Sequence, residues 1–130
     1  MAIENFEQIT EDLTDRELDF LPDVQEAIKN ALEKAIQPRK QNELITLINS
    51  YLQEKHGLFC SLSLSGVRLR KYVNYLRSNS ILPIIGTSSG YSIANKKDII
   101  ESQIKSLKQR ARQINRAAEG LQKYLLTIKQ

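Results

Sequence analysis

The chain has 130 residues, which suits one domain with at most a small appendage, because two independent cores would both be marginal at this length. The formal net charge is +4 and the isoelectric point is near 9.2, which permits an anionic partner without requiring one. The single cysteine excludes an internal disulfide framework, and no apolar run approaches the roughly 18 residues that span a bilayer, so we expect a cytoplasmic protein without a membrane partner.

The N-terminal third is acidic, because residues 1–36 hold ten Asp and Glu against three Lys and Arg. Residues 37–97 carry a net charge of +7, and residues 98–130 carry +4. This asymmetry is typical of chains whose basic part binds a polyanion. The acidic segment before Asp19 either packs as part of the structure or competes with a polyanion for the basic residues, and the sequence leaves both open.

Two helices are predicted before the basic region. Pro22 suits the entry of the first, over residues 23–36, and Pro38 ends it. Its apolar residues recur at helical spacing: Val24, Ala27, Ile28, Ala31, Leu32, Ala35 and Ile36. We expect this apolar stripe to pack against the C-terminal helix. The second helix covers residues 41–55, and Gly57 provides its C-terminal stop.

The segment LFCSLSLSG, residues 58–66, alternates apolar and polar residues and is predicted to be extended. It is too short to hold a full further helix. Ser65 is a suitable N-cap for the next helix, which runs to Ser78. The apolar face of that helix consists of Leu69, Val73 and Leu76.

The outer face of this helix is cationic and polar and carries no acid. Lys71, Asn74 and Ser78 point directly away from the apolar face at about 100° per residue. Because Arg70, Lys71 and Arg77 face away from the core, their loss should leave the fold intact. Lysine and arginine neutralise phosphates, and arginine and asparagine also bond base edges. The side chains predicted to contact DNA are Arg68, Arg70, Lys71, Asn74, Tyr75 and Arg77; the alternative is a solvated surface with scattered cations.

A short β-hairpin is predicted after the cationic helix. The β-favouring runs ILPII, residues 81–85, and YSIA, residues 91–94, flank GTSSG, whose glycines and hydroxyls suit a tight turn. The hairpin contains no Lys or Arg. Only Thr87, Ser88, Ser89 and main-chain amides are therefore candidates for phosphate contacts there.

Residues 96–129 are predicted to form one long helix of the coiled-coil type. Its apolar residues recur at alternating spacings of four and three: Ile100, Ile104, Leu107, Ala111, Ile114, Ala118, Leu121, Leu125 and Ile128. About 32 helical residues extend about 48 Å, whereas the rest of the chain forms a globule of roughly 32 Å across. The overhang favours self-association through this stripe, and packing on the acidic N-terminal helix is the alternative.

A helix, a short segment, a cationic helix and a hairpin follow in an order that resembles a winged helix-turn-helix, in which the cationic helix enters the major groove. LRKYVNYLRSNSILPIIGTSSGY, residues 69–91, followed by DIIESQIKSLKQRA, residues 98–111, is also similar to small proteins of bacteriophages and integrated elements. In these a winged-helix-like centre precedes a long C-terminal helix. The similarity extends from about residue 40 to 125; it implies DNA binding and supplies no catalytic motif.

These patterns predict a mainly α fold with a small β-hairpin (α+β). It comprises an acidic helical region (1–38), a winged-helix-like domain (39–95) and a self-associating helix (96–130). His56 and Cys60 are interpreted as a helix-end residue and a buried thiol, and no metal-ligand spacing is present, so we expect no catalysis, metal or cofactor. We expect a homo-oligomer that binds double-stranded DNA, such as a phage-type transcription regulator or a replication accessory factor. The alternative is an adaptor for protein partners.

Overall fold

The computed structural model of the protein describes residues 11–128; residues 1–10 of the acidic region and residues 129–130 lie outside the described part. The described residues are 66% helical and include a two-stranded antiparallel sheet, which confirms the α+β class. The elements in chain order are α1 (Asp15–Asp19), α2 (Leu21–Glu33), α3 (Gln41–His56), α4 (Gly66–Ser78), β1 (Ile84–Thr87), β2 (Gly90–Ile93) and α5 (Lys97–Thr127). The elements α1 to β2 belong to one compact unit, and α5 belongs to a second.

Helix α2 supplies the first side of the core. Its buried residues are Val24, Ala27, Ile28, Ala31 and Leu32, as their helical spacing predicts. They form one cluster with side chains of α3 and α4, which are therefore core partners of α2. The helix ends at Glu33, earlier than predicted, and Ile36 is fully exposed. Pro38 disfavours helical geometry at the residue before it, and the backbone of Arg39 joins a β-bridge, so the chain has to leave the helix early.

The connection between α3 and α4 contains neither a strand nor a helix. It begins with a turn in which Cys60 N donates to Gly57 O at 3.1 Å, so the extended conformation predicted for residues 58–66 is not found at its start. Gly57 ends α3 with a φ of +90°, as the sequence predicts. Leu62 and Leu64 are buried and the serines around them are exposed, so the alternation predicts burial correctly. The Asn49 side chain takes the place of a strand partner, because its Oδ1 accepts from Leu64 N at 2.7 Å and its Nδ2 donates to Leu64 O at 3.3 Å.

Strands β1 and β2 form the predicted hairpin, with Thr87 paired to Gly90 across a two-residue turn. The segment before α3 joins this hairpin: Arg39 N donates to Tyr91 O, and Tyr91 N donates to Arg39 O, both at 2.8 Å. Glycine is required at position 90, because its φ is +125° and a Cβ atom there would lie 2.3 Å from the Arg39 carbonyl oxygen. The hairpin is thereby tied to the chain that leads from α2 into α3.

Helix α5 is continuous over 31 residues, a length of about 46 Å, as the apolar repeat predicts. In its C-terminal half the predicted apolar stripe is exposed, since Leu121 is 73% and Leu125 is 66% exposed. None of the helices within residues 11–128 combines the length and the apolar character needed to cross a bilayer.

Candidate nucleic-acid interface

Helix α4 is positioned by its N-cap and by four buried side chains. Ser65 Oγ accepts a hydrogen bond from Arg68 N at 3.2 Å, as its predicted capping role requires. The buried side chains are Leu69, Tyr72, Val73 and Leu76. The sequence does not predict that Tyr72 is buried. A buried tyrosine needs an acceptor for its hydroxyl group, and helical spacing does not indicate one. That acceptor is the carbonyl oxygen of Glu17, at 2.6 Å, and the bond draws α1 onto α4.

Glu17 of α1 is a buried carboxylate held by two cations of α4; its side chain is 3% exposed. Oε1 accepts from Lys71 Nζ at 2.5 Å, and Oε2 accepts from Arg68 Nε at 2.7 Å. The same carboxylate completes a capping box, since Thr14 N donates to Glu17 Oε1 at 2.8 Å and Thr14 Oγ1 accepts from Glu17 N at 3.2 Å. One side chain thus closes the first turn of α1 and docks α1 on α4.

These contacts set the ionisation of Glu17. Burial alone would raise the pKa of its carboxyl group, but hydrogen bonds from Lys71, Thr14 and Arg68 outweigh burial and lower the pKa from 4.5 to about 2. The carboxylate is therefore charged at neutral pH. Burial, together with the nearby negative charge of Glu17, raises the pKa of the Tyr72 hydroxyl, which keeps its proton and remains a donor.

The outward orientation expected for Lys71 is wrong. Its side chain is only 11% exposed, because α1 covers this side of α4. Arg68 also turns toward the protein, and its Nη1 donates to Ser63 O at 2.8 Å in addition to the bond with Glu17. The apolar spacing locates the core face of α4 but gives no sign that a second element covers part of the outer face. Both cations therefore belong to an internal ion cluster.

Arg77 links α4 to the hairpin. Its Nε donates to Ile84 O at 2.8 Å. Its guanidinium lies over Gly86, where a Cβ atom would be 2.9 Å from Nη2. The expectation that Arg77 faces away from the rest of the fold is therefore wrong, because this side chain holds the first strand of the hairpin against the end of α4. We expect its loss to destabilise the hairpin.

Four residues form the part of the outer face of α4 that α1 and the hairpin leave open, and we name them the α4 outer row: Val67, Arg70, Asn74 and Ser78. Their spacings of three, four and four place them on one side of the helix. Val67 is 60% exposed, and Asn74 and Ser78 are also exposed. Arg70 makes no hydrogen bond or ion pair with residues 11–128, and its Nε is buried without a partner. Tyr75, predicted beside them, is half-buried.

Val67 is the residue of this row that the sequence pattern does not predict. Helical patterning assigns apolar residues to the inner face of an amphipathic helix, so it predicts no contact role for an apolar residue on the outer face. The available signal is its position seven residues before Asn74, which places both on the same side of α4. An exposed valine in this position is suited to an apolar contact.

The hairpin tip carries the three predicted hydroxyl residues, Thr87, Ser88 and Ser89, and all three are exposed. Thr87 Oγ1 accepts from Ser89 N at 3.2 Å, so this hydroxyl shapes the turn. Ser88 and Ser89 retain hydroxyls that can bond an external phosphate.

His56 and Cys60 belong to separate structural sites. His56 ends α3 and places Nε2 at 2.6 Å from Asp23 Oδ2, while Lys55 Nζ lies 2.8 Å from Asp23 Oδ1. Hydrogen bonds from Lys55 and His56 lower the pKa of Asp23, and they join the end of α3 to the first turn of α2. Cys60 is half-buried against the core. Among the described residues, no group of three His, Cys, Asp or Glu side chains is arranged to hold a metal ion.

No protein-family model, curated protein or solved structure matches this chain. Its function has to be inferred from the geometry of α4, the hairpin and α5.

Proposed function

We propose that the protein is a non-enzymatic double-stranded DNA-binding protein of the winged-helix type. The observation that carries the proposal is the order α2, bridge segment, α3, α4 and hairpin, in which the bridge pairs Arg39 with Tyr91 of β2. In winged helix-turn-helix domains the cationic helix enters the major groove, and the hairpin lies along the adjacent backbone. If α2 is counted as the first helix of the domain, three helices precede the hairpin: α2, α3 and α4. Helix α3 then precedes the cationic helix α4, and no additional helix is required in the connection formed by residues 58–65.

The α4 outer row has the chemistry of a base-reading face. Arginine bonds guanine edges, asparagine bonds adenine edges, and an apolar side chain contacts the methyl group of thymine. Val67 and Asn74 are about 10.5 Å apart along the helix axis, which corresponds to about three base pairs. We therefore assign base contacts to Val67, Arg70 and Asn74. In the free protein Arg68 and Lys71 are engaged by Glu17, and they are not part of this face.

The hairpin supports the proposal through its rigid connection to α4. The side chain of Arg77 bonds the backbone of β1, and the backbone of Arg39 bonds the backbone of β2. Each strand of the hairpin is therefore attached to a different part of the helical domain. A hairpin held in this way can fix the position of its tip relative to α4. We assign Ser88 and Ser89 at the tip to phosphate contacts, which orient a protein on the duplex without reading its sequence.

Titrating the full chain against a mixed-sequence duplex at several salt concentrations tests the proposal. Affinity should fall steeply between about 50 and 200 mM salt. Arg70→Gln and Asn74→Ala should each reduce discrimination between sequences by about 1–3 kcal/mol per base pair contacted. Lys29→Gln removes an exposed cation from α2 and is the matched control. If Lys29→Gln and Arg70→Gln act equally, α4 is not the contact surface.

Self-association through α5 is the second part of the proposal. The exposed Leu121 and Leu125 continue the spacing of four and three that a paired helix requires. Sedimentation equilibrium should give a mass above that of one chain, and Leu121→Gln with Leu125→Gln should return it to 14.9 kDa. A wild-type mass of one chain at all concentrations would remove self-association from the proposal.

An adaptor for protein partners is the second candidate function. It is favoured by Leu58 and Phe59, two adjacent residues of the α3–α4 connection that are 81% and 97% exposed. Adjacent exposed apolar side chains are more common at protein contacts than on inert surfaces. The same titration separates the two functions, because an adaptor should not bind duplex DNA even at low salt.

A further inference from the structure

Four of the seven cations of helix α5 lie on one side of it, and we name them the α5 cationic row: Lys105, Lys108, Arg112 and Arg116. All four are exposed. Spacings of three, four and four residues place them on one side of the helix, and the row extends about 16 Å along the axis. The row is therefore a continuous cationic surface on a single rigid element.

The charge of this row is not compensated within the described chain. Residues 102–118 contain no Asp or Glu, and Glu101 and Glu119 bound the row at its two ends. Lys97 pairs with Glu101 at 3.7 Å, but no member of the row forms an ion pair with residues 11–128. Like charges four residues apart disfavour a helix slightly, so a partner that neutralises them is favoured.

The cations of α4 do not supply an equivalent surface. Glu17 engages Arg68 and Lys71, and Arg77 bonds the backbone of Ile84. Phosphate contacts dominate the affinity of most DNA-binding proteins, and several are needed for binding at physiological salt. Arg70 is the cation of α4 that remains available for phosphate contacts, whereas the α5 cationic row provides four exposed cations.

The position of the row on α5 distinguishes between possible anionic partners. At about 100° per residue, its centre lies roughly 130° around the helix from the centre of the apolar stripe. Self-association through the stripe would therefore leave the row exposed. A helix that lies in a membrane interface also carries Lys and Arg on its polar face, but it has to bury its apolar stripe in the lipid. Self-association through the same stripe prevents this, so it favours a nucleic acid over a membrane surface as the partner of the row.

We propose that the α5 cationic row binds the phosphate backbone of duplex DNA, as a contact surface separate from the base-reading face of α4. The identity of the ligand as duplex DNA rests on the proposed function. The row would add affinity that depends on salt and not on sequence, because it offers only Lys and Arg on an exposed face.

A charge-matched pair of variants of the full chain tests this inference. Lys108→Gln, Arg112→Gln and Arg116→Gln are combined in the row variant, and glutamine preserves helix propensity. The control variant combines the same loss of charge at exposed positions of another region: Lys29→Gln, Lys34→Gln and Lys40→Gln. Both are titrated against a mixed-sequence duplex and against anionic phospholipid vesicles, and circular dichroism checks that helix content is unchanged.

The row variant should lose about three units of the slope of log K against log salt and at least about tenfold in affinity at 0.1 M salt, whereas the control should stay close to wild type. Equal losses in both variants, no loss in the row variant, or a loss confined to vesicles would each overturn the inference. An Arg70→Gln, Asn74→Ala protein separates this result from the proposed function. If that protein binds like wild type while the row variant fails, the assignment of α4 is wrong and the row stands; the opposite pattern removes the row and keeps α4.

Discussion

Replacing Glu17 with glutamine tests the buried carboxylate that docks α1 on α4. Glu17→Gln keeps the size of the side chain and removes its charge. The amide oxygen can accept one of the two cationic donors, but the amide NH2 group then presents a donor to the other. Lys71 would keep its positive charge in a site where it is only 11% exposed. We therefore expect the free energy of unfolding to fall.

The size of this loss follows both from the burial of the ion pair and from the pKa of Glu17. Removing one partner of a buried ion pair costs about 3–5 kcal/mol, and the lower end applies because Arg68 remains partly in contact with water. Separately, the fall in the pKa of Glu17 from 4.5 to about 2 corresponds to about 3 kcal/mol of stability at neutral pH, at about 1.36 kcal/mol per unit. We expect Glu17→Gln to destabilise the protein by about 3 kcal/mol at pH 7.

The pH dependence of this difference follows from the direction of the pKa shift. Because the pKa of Glu17 is lower in the folded than in the unfolded protein, its contribution is complete above about pH 4.5 and is lost as the pH falls through about 2. Urea denaturation should therefore separate the variant from wild type at pH 7 and bring them together near pH 2. Glu43→Gln breaks the exposed pair with Arg39 and should cost less than about 1 kcal/mol. A Glu17→Gln protein as stable as this control, or a gap that persists near pH 2, would refute the reasoning.

Three further changes test other contacts. Gly90→Ala should lower the melting temperature because of its close approach to Arg39, whereas Gly120→Ala, in open space on α5, should stabilise its helix by about 0.5–1 kcal/mol; the same sign for both would contradict this. Asn49→Ala should cost about 1–3 kcal/mol in urea denaturation, because it leaves the N–H and C=O groups of Leu64 unpaired, and a neutral result would show that water replaces them. Replacing thymine by uracil in the preferred duplex should weaken binding by wild type but not by Val67→Ala, and equal weakening of both proteins would remove Val67 from the methyl contact.

The parts of the fold that the sequence predicts are those with local signals. The cap at Ser65, the stop at Gly57 and the hairpin turn each depend on neighbouring residues, and each lies where the sequence predicts it. The strands extend into the predicted turn GTSSG, however, and leave only Ser88 and Ser89 between them. Apolar spacing likewise identifies most of the buried face of α2 and of α4. These signals are local because caps, turns and helical faces are set within one or two turns of the chain.

The parts that the sequence does not predict are contacts between distant residues. Glu17 and Lys71 are 54 residues apart, and helical spacing within α4 cannot indicate that α1 covers Lys71. The pairing of Arg39 with Tyr91 is similar, since its only local trace is the glycine at position 90. The pattern identifies the four cations of α4 as candidate DNA contacts, but three of the four have partners within the protein: Arg68, Lys71 and Arg77.

The ion cluster also bears on whether the acidic segment competes with DNA, because one carboxylate both stabilises the fold and occupies two cations of α4. For DNA to recruit Arg68 and Lys71, it would have to replace Glu17, at a cost of about 3 kcal/mol. At 0.1 M salt, release of counterions contributes about 1.2 kcal/mol per phosphate contact, so two contacts do not offset this cost. Below roughly 50 mM salt the two contacts exceed it, and the cluster should open onto the DNA. For wild type, the slope of log K against log salt should therefore steepen by about two below roughly 50 mM salt. Glu17→Gln should show the steeper slope at every salt concentration. One constant slope for wild type across the range would mean that DNA never displaces Glu17.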